Sequence, residues 1–333
     1  MKFAALATLI SVAALSATAE EVNIYSSRQP ELIDPILAAF TAETGIDVNV
    51  VFLKSGMLER LRAEGQRSPA DVILTTDIAN LDAAVQAGLT QAVVSDTINA
   101  NIPASYRDAG GQWFGLTSRA RVIYASNERV AEGEITSYED LAGPNWQGRI
   151  CTRSGTHDYN IALTATYLFN YGEAETEAWL TGVKSNLARA PQGNDRAQVK
   201  AIWAGECDIA IGNTYYMGNM LADPEQTEWA NAVYLVFPSM NGLGTHVNIS
   251  GMAMTAAAPN AENAQKLMEF LTDEAAQKIY AEVNYEYPLN ADVPASALVS
   301  SWGEFTPDPT PLTDIAKLRG AALRLVERVD FDG

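Results

Sequence analysis

Two adjacent tyrosines, Tyr215 and Tyr216, follow the short apolar run 208–212. A phenol has an unperturbed pKa of about 10, so paired phenols are poor acid–base groups at neutral pH. A trivalent hard cation, however, can displace the phenol proton and bind the resulting oxyanion. The pair by itself leaves two interpretations open, a ferric-ion site and ordinary packing of two aromatic rings with satisfied hydroxyls.

A third tyrosine is predicted to lie near this pair. In open parallel sheets, ligands bind beyond the carboxyl ends of the strands, where loops enter helices. Tyr215 and Tyr216 have such a position after the predicted strand 208–211, and Tyr159 has one after the predicted strand 149–152. Helix N-termini favour nearby anions, so both positions would help to stabilise a phenolate.

The segments that must position these residues alternate between strand and helix. Strand patterns at 22–26, 46–52 and 70–74 are separated by amphipathic helical patterns. This alternation predicts an α/β fold with a largely parallel sheet. Two longer extended runs, 113–125 and 245–255, are candidates for strands that cross between two lobes.

Two lobes are also expected from the length of the chain. Its 333 residues exceed the roughly 250–300 residues at which a single hydrophobic core stops growing. The crossing strands make the predicted boundary discontinuous. Lobe one is predicted to comprise residues 20–118 and 250–333, and lobe two residues 119–249.

The N-terminus has the pattern of a secretory signal peptide, predicted at residues 1–19. Lys2 precedes the apolar run 3–15, and Ala17-Thr18-Ala19 provides small residues at a cleavage site after Ala19. The apolar run is shorter than the about 20 residues that a membrane-spanning helix needs. We therefore expect an exported, periplasmic protein.

Export permits disulfides, and the chain has two cysteines, Cys151 and Cys207. Two cysteines cannot form a structural zinc site by themselves, but they can form one bridge. Both lie at or beside predicted strands, and we expect a disulfide rather than two free thiols.

The composition is acidic, with 22 basic and 41 acidic residues and a formal net charge of −19. Such a charge argues against nucleic acid or an anionic membrane surface as a partner. It favours the binding of cations, although a solvated acidic surface explains it equally well.

Six segments together carry a resemblance to a known family. They are Tyr25-Ser26-Ser27-Arg28-Gln29-Pro30, residues 68–72, residues 113–123, residues 189–195, Gly212-Asn213-Thr214-Tyr215-Tyr216 and residues 244–251. In this order they resemble the periplasmic ferric-iron-binding proteins that supply ABC importers, including the cyanobacterial FutA type. The resemblance extends over essentially the whole chain after the signal peptide.

The resemblance implies a two-lobed, class II periplasmic substrate-binding protein with two crossing strands as its hinge. In that family, tyrosines of the second lobe hold the metal, and the matching positions are Tyr159, Tyr215 and Tyr216. Three phenolates balance the charge of one Fe(III). The partner implied is an inner-membrane ABC permease, and the binding protein is expected to be a monomer.

One departure from the family pattern concerns the first lobe. Many relatives have His-Tyr, which supplies metal ligands, where this chain has Gln29-Pro30. The branch that it resembles completes the coordination with carbonate or another small anion. Gln29 and Arg119 would then hold the anion, with Arg28 as a further candidate, because arginine grips planar oxyanions with two donors. Surface pairing with carboxylates is the alternative role for Arg119.

The sequence gives less specific predictions for His157, His246 and Tyr25, which lie in or near these motifs. His157 is either a supporting group beside Tyr159 or an ordinary loop histidine. His246 is expected to form a structural hydrogen bond, and Tyr25 to line the cleft without binding metal.

Other function classes are less well supported. The sequence contains no GxSxG, HExxH, P-loop, GxGxxG or EF-hand pattern, so no constellation for an exported enzyme stands out. A binding protein for another small ligand, such as a polyamine or thiamine, remains the main alternative. Polyamine sites would favour Asp, Glu and Trp rather than paired tyrosines.

Overall fold

The computed structural model describes residues 20–333, and the predicted signal peptide 1–19 lies outside the described residues. The strands are β1 Glu21–Ser26, β2 Asp47–Phe52, β3 Val72–Thr75, β4 Phe114–Ser126, β5 Ile150–Cys151, β6 Ile209–Asn213, β7 Val233–Val236, β8 Val247–Met254 and β9 Tyr287–Pro288. The helices are α1 Asp34–Thr44, α2 Met57–Glu64, α3 Ile78–Gln86, α4 Asp96–Asn101, α5 Asp158–Tyr171, α6 Glu173–Ser185, α7 Asp195–Trp203, α8 Tyr215–Ala222, α9 Thr227–Asn231, α10 Ala261–Thr272, α11 Glu274–Asn284, α12 Ala297–Ser300 and α13 Leu312–Arg328.

The first-lobe sheet has the strand order β2–β1–β3–β8–β4. Its strand β1 is parallel to both β2 and β3, as the alternating pattern predicts. The prediction of a largely parallel sheet is wrong at β4 and β8: β8 is antiparallel to β3 and β4, and β4 is antiparallel to β6 and β7, because the crossing strands run against their neighbours. The connection from β1 to β2 is α1, which has Pro35 in its first turn and ends at Gly45 in the left-handed region, φ 73°. Proline is tolerated there because the first-turn N–H groups have no partner within the helix.

Strands β4 and β8 are the two crossing strands, which confirms the prediction from the extended runs. The first half of β4 pairs antiparallel with β8, from Phe114↔Met252 to Ala120↔Val247. The second half of β4 pairs instead with β6 and β7. One strand therefore belongs to the first-lobe sheet at its start and to the second-lobe sheet, made with β5, β6 and β7, at its end.

Both faces of the second-lobe sheet are covered. On β4, Ile123 and Ala125 enter one buried apolar cluster, whereas Val122 and Tyr124 enter another on the opposite face. This alternation follows from the two-residue period of a strand. The first lobe has its own cluster around β1 and β3. The fold is thus a two-lobed α/β substrate-binding architecture.

Helix α13 contacts both lobes. It packs against α3 and α5. Its residues Leu312 and Ile315 lie in the first-lobe cluster, while Leu325 and Val326 lie in a second-lobe cluster. The lobe boundaries given above stay predictions.

Cys151 and Cys207 form a disulfide with a Cα–Cα distance of 5.9 Å, as the sequence predicts. It joins the end of β5 to the segment just before β6. In residues 20–333, no helix combines the length and the apolar character needed to cross a membrane.

Candidate functional site

A cavity of about 530 Å³ contains the predicted site. Both lobes and the crossing strands contribute to its walls. The lining residues are Ser27, Arg28, Gln29, Glu31, Leu32, Lys54, Thr76, Arg119, Arg153, His157, Tyr159, Asn194, Arg196, Tyr215, Tyr216, Asn219, Ser250 and Glu286.

The three predicted tyrosines converge on this cavity. Tyr159 lies in the first turn of α5, and Tyr215 and Tyr216 open α8. The hydroxyl oxygens of Tyr159 and Tyr215 are 3.2 Å apart. The ring centroids of Tyr215 and Tyr216 are 4.3 Å apart. The strand-to-helix argument therefore predicts a cluster that the fold forms.

Burial raises the pKa of two of these phenols. It raises the pKa of Tyr215 well above the ordinary value, and the neighbouring phenols of Tyr159 and Tyr216 raise it further, while Arg119 opposes the shift. Burial likewise raises the pKa of Tyr216, with Tyr159 adding to the effect. A phenolate forms here only if a cation takes the place of the proton.

Three guanidinium groups surround the ring of Tyr159. The guanidinium carbons of Arg119, Arg121 and Arg153 are 5.5, 5.7 and 5.3 Å from its centroid. Arg119 lowers the pKa of Tyr215 and Arg153 lowers that of Tyr216, each against the larger effect of burial. The guanidinium groups therefore place positive charge beside the tyrosine cluster.

The candidate anion-binding residues differ in how many of their donors are already used. Arg119 is 2% exposed, and its Nη2 donates to the carbonyl of Thr76. Its buried Nη1 has no partner among the described residues, which leaves a donor for a ligand. Gln29 is exposed at the cavity wall.

Arg28 is more fully engaged. It is buried and donates from Nη2 to Oε1 of Glu286 at 2.8 Å, and it also contacts the hydroxyl of Ser250. The carboxylate balances its charge, so Arg28 adds little net positive charge to the cavity.

The two histidines have distinct structural roles. His157 caps α5, where its Nδ1 accepts the backbone N–H of Tyr159 at 3.2 Å. Burial, together with the charge of Arg153, lowers the pKa of His157 to about 4. His246 is 2.9 Å from the hydroxyl of Thr166 through Nδ1, the structural hydrogen bond that was expected.

Tyr25 is not among the residues that line the cavity, so the expectation that it lines the cleft is wrong. Its hydroxyl donates to Glu64 at 2.8 Å, and its ring is covered by Arg60. A strand-end position alone does not decide which way a side chain points, because successive residues face opposite sides of the sheet.

Sequence reasoning did not single out Arg153, Arg121 and Asp195 as site residues. Asp195 pairs with Arg121 at 2.7 Å and with Arg153 at 3.1 Å. The strand-end rule could have found Arg153, because it follows β5 in the same loop as Tyr159. Nothing in the sequence pattern joins Arg121 to Asp195, which lie on different elements.

Ordinary metal ligands do not form an alternative site in the described part of the chain. No group of three or more His, Cys, Asp or Glu side chains in residues 20–333 is arranged to hold a metal ion. The phenol oxygens are thus the candidate metal donors that the cavity offers.

The known proteins that this chain is similar to include several that are named for iron uptake or iron binding. The chain is 44% identical to iron uptake protein A1 of Synechocystis sp., over 94% of this chain and 88% of that protein. It is similar to apo ferric ion-binding protein A of Pasteurella haemolytica, with a TM-score of 0.91 and 50% identity over 95% and 99% of the two chains. It is also similar to Trichodesmium FutA in complex with iron and citrate, with a TM-score of 0.89 and 40% identity over 93% and 99%.

A family match covers most of the chain. Residues 67–304 match the family described as bacterial extracellular solute-binding protein. That segment includes both crossing strands and the three clustered tyrosines. The chain therefore belongs to the bacterial extracellular solute-binding protein family.

Proposed function

We propose that this protein binds Fe(III) in the interlobe cavity through the phenolates of Tyr159, Tyr215 and Tyr216. The observation that carries the proposal is the 3.2 Å separation of the Tyr159 and Tyr215 hydroxyls, with Tyr216 packed beside them. Three phenolates supply three negative charges, which match the charge of the cargo ion. The names of two relatives, iron uptake protein A1 and ferric ion-binding protein A, support iron as the cargo.

The surroundings of the phenols support a hard trivalent cation over a cationic organic ligand. Burial disfavours an uncompensated phenolate, so the site is poorly ionised until a strong Lewis acid displaces the protons. The guanidinium groups around Tyr159 would repel a cationic ligand such as a polyamine. The same groups would tolerate Fe(III) once three phenolates have neutralised it.

A small anion completes the proposed site. The free Nη1 of Arg119 and the exposed amide of Gln29 are the groups that would hold it. Carbonate and citrate both fit a planar carboxylate-like contact with arginine, and a relative has been described with iron and citrate. Arg28 would contribute less, because Glu286 already accepts from it.

The proposed cellular role is iron delivery in the periplasm. The signal peptide 1–19 would direct export, with cleavage after Ala19. The monomeric protein, with lobe one at 20–118 and 250–333 and lobe two at 119–249, would close around iron and present it to an inner-membrane ABC permease. The naming of relatives as iron uptake and ferric ion-binding proteins supports this role.

The test uses the colour of iron–phenolate bonds. Purified protein loaded with Fe(III) should show a visible tyrosinate-to-iron charge-transfer band. The variant with both Tyr215→Phe and Tyr216→Phe should lose it, because each substitution removes a donor oxygen and leaves the ring.

Tyr234→Phe is the matched control, because the Tyr234 hydroxyl donates to the carbonyl of Ala131, 3.1 Å away, and lies apart from the cavity. This variant should keep the full band. An unchanged band in the double variant would refute the ligand assignment, and a colourless wild-type complex would refute the Fe(III) site.

A further inference from the structure

We propose that the buried pair Arg121–Asp195, called here the Arg121–Asp195 hub, positions the two chain segments that carry the tyrosines. The inference rests on the proposed Fe(III) site and adds residues that act on it indirectly. In the described chain, the cavity wall includes neither side chain of the hub. Apart from the Arg121 guanidinium that faces the Tyr159 ring, their effect would pass through the segments that they hold.

The hub is buried, and each carboxylate oxygen of Asp195 is paired with an arginine. Arg121 is 2% exposed and Asp195 has no exposed surface. Arg121 Nη1 donates to Asp195 Oδ2 at 2.7 Å, and Arg153 Nη1 donates to Asp195 Oδ1 at 3.1 Å. Removing one partner of such a pair is costly, because the other charge is left buried without compensation. Replacing Asp195 would therefore leave the buried guanidinium of Arg121 without its carboxylate.

One arm of the hub reaches the Tyr159 segment. Arg121 Nη2 donates to Oδ1 of Asn160 at 2.7 Å, and Asn160 is the residue next to Tyr159. The amide of Asn160 donates to the carbonyls of Arg153 and Ser154, each at 3.1 Å. These bonds fasten the loop after β5 to the first turn of α5, which sets the direction of the Tyr159 side chain.

The other arm reaches the segment of the tyrosine pair. Arg121 Nη1 donates to Oδ1 of Asn213 at 2.9 Å, and the backbone N–H of Asn213 donates to Asp195 Oδ2 at 3.0 Å. Asn213 ends β6 and is followed by Thr214 and then Tyr215. The end of β6 is thereby fixed relative to the same guanidinium that holds Asn160.

The planar fork of one guanidinium thus joins both segments. Arginine can make these contacts at once because its donors have a fixed planar arrangement, which the single ammonium of lysine lacks. Residues that orient metal ligands in this way typically change metal affinity by roughly 10–100-fold when they are replaced. We expect the hub to have an effect of that size on iron retention.

The test compares two carboxylates that are each bridged by two arginines. Asp195→Asn should shift the charge-transfer band and speed the loss of Fe(III) to excess EDTA by roughly 10–100-fold. Asp208→Asn is the matched control, because Asp208 pairs with Arg129 at 2.6 Å and Arg149 at 2.7 Å at the opposite end of β6. Its band and rate of iron loss should match those of the wild type.

Two further variants separate positioning from folding. Arg121→Lys keeps the charge and loses the fork, and Asn160→Ala removes only the arm to Tyr159. Either should shift the band in protein whose circular dichroism is native. If Asp195→Asn does not fold, these two variants decide the question by the same readouts.

The experiments distinguish failure of the Arg121–Asp195 hub from failure of the proposed Fe(III) site. A normal band and normal iron loss in the folded hub variants would overturn the hub, and so would equal effects of Asp195→Asn and Asp208→Asn. The proposed Fe(III) site would survive either result, whereas a wild-type protein without the band would refute both proposals.

Discussion

Each phenol of the tyrosine cluster has to lose a proton before it can bind iron. Burial raises the pKa of Tyr215 and Tyr216 in the metal-free protein, so protons compete with the metal at neutral pH. Arg119 acts in the opposite direction on Tyr215, and Arg153 does so on Tyr216, because positive charge favours the phenolate. Iron retention should depend on the balance of these two effects.

The first prediction concerns this competition. Since the free phenols are protonated, each iron–phenolate bond releases a proton, and apparent iron affinity should rise with pH from mildly acidic to mildly alkaline buffer. Up to three protons should be released per Fe(III) if all three tyrosines bind. Titration against a chelator of known protonation, together with proton release in weakly buffered solution, measures both quantities. An affinity that does not vary with pH would contradict tyrosinate binding.

Adjacent parallel strands explain why the tyrosines meet. Strands β5 and β6 pair in parallel, with Ile150↔Ile209 and Cys151↔Ala210 in register, so the loops after both strands leave the sheet at the same edge. Helices α5 and α8 start from those loops and carry Tyr159 and Tyr215 in their first turns. The disulfide ties the same two strands together.

The second prediction separates this disulfide from the site. The bridge closes a loop with a sequence separation of 56 residues, and its removal should lower the free energy of unfolding by about 4 kcal/mol on the chain-entropy estimate. The variant Cys151→Ser with Cys207→Ser should therefore melt earlier in thermal denaturation. It should keep the position of the iron band, because hydrogen bonds of the Arg121–Asp195 hub hold the tyrosine segments. Loss of the band in the folded variant would assign the positioning role to the disulfide instead.

The cavity lies between the two lobes of the molecule. Gln29 and Thr76 line it from the first lobe, and Tyr159 and Tyr216 line it from the second. Strands β4 and β8 connect the lobes, and paired crossing strands of this kind allow a hinge motion around a ligand. Helix α13, which packs against both α3 and α5, would limit the range of that motion.

The third prediction concerns closure of the two lobes. Fe(III) bound by second-lobe tyrosines and an anion held by Gln29 and Arg119 would draw the lobes together. We expect the radius of gyration from small-angle X-ray scattering to fall when iron and carbonate are added. The variant with Tyr215→Phe and Tyr216→Phe should show no such change, and Tyr234→Phe should behave like the wild type. Compaction of the double variant by iron would show that closure is independent of the tyrosines.

Local sequence patterns were sufficient to predict most helices and strands and part of the candidate site. The alternation of apolar residues predicts the strands, although not the antiparallel pairing of β4 and β8, and the strand-end rule selects Tyr159, Tyr215 and Tyr216 as neighbours. Both arguments need only sequence periodicity and a general property of parallel sheets. Tyr25 shows what these arguments cannot predict, since the direction of a side chain near a strand end depends on which face of the sheet is packed.

The sequence alone therefore determined the two-lobed α/β class, the crossing strands, the Cys151–Cys207 bridge and the tyrosines that could meet. Only the tertiary structure decided that Arg121 and Asp195 lie together and that Glu286 balances Arg28. The two members of each pair are far apart in sequence, with separations of 74 residues for Arg121–Asp195 and 258 for Arg28–Glu286. The periodicity of the sequence does not predict such a contact, because the contact depends on how whole helices and strands pack together. A buried charge pairs with whichever opposite charge that packing places beside it.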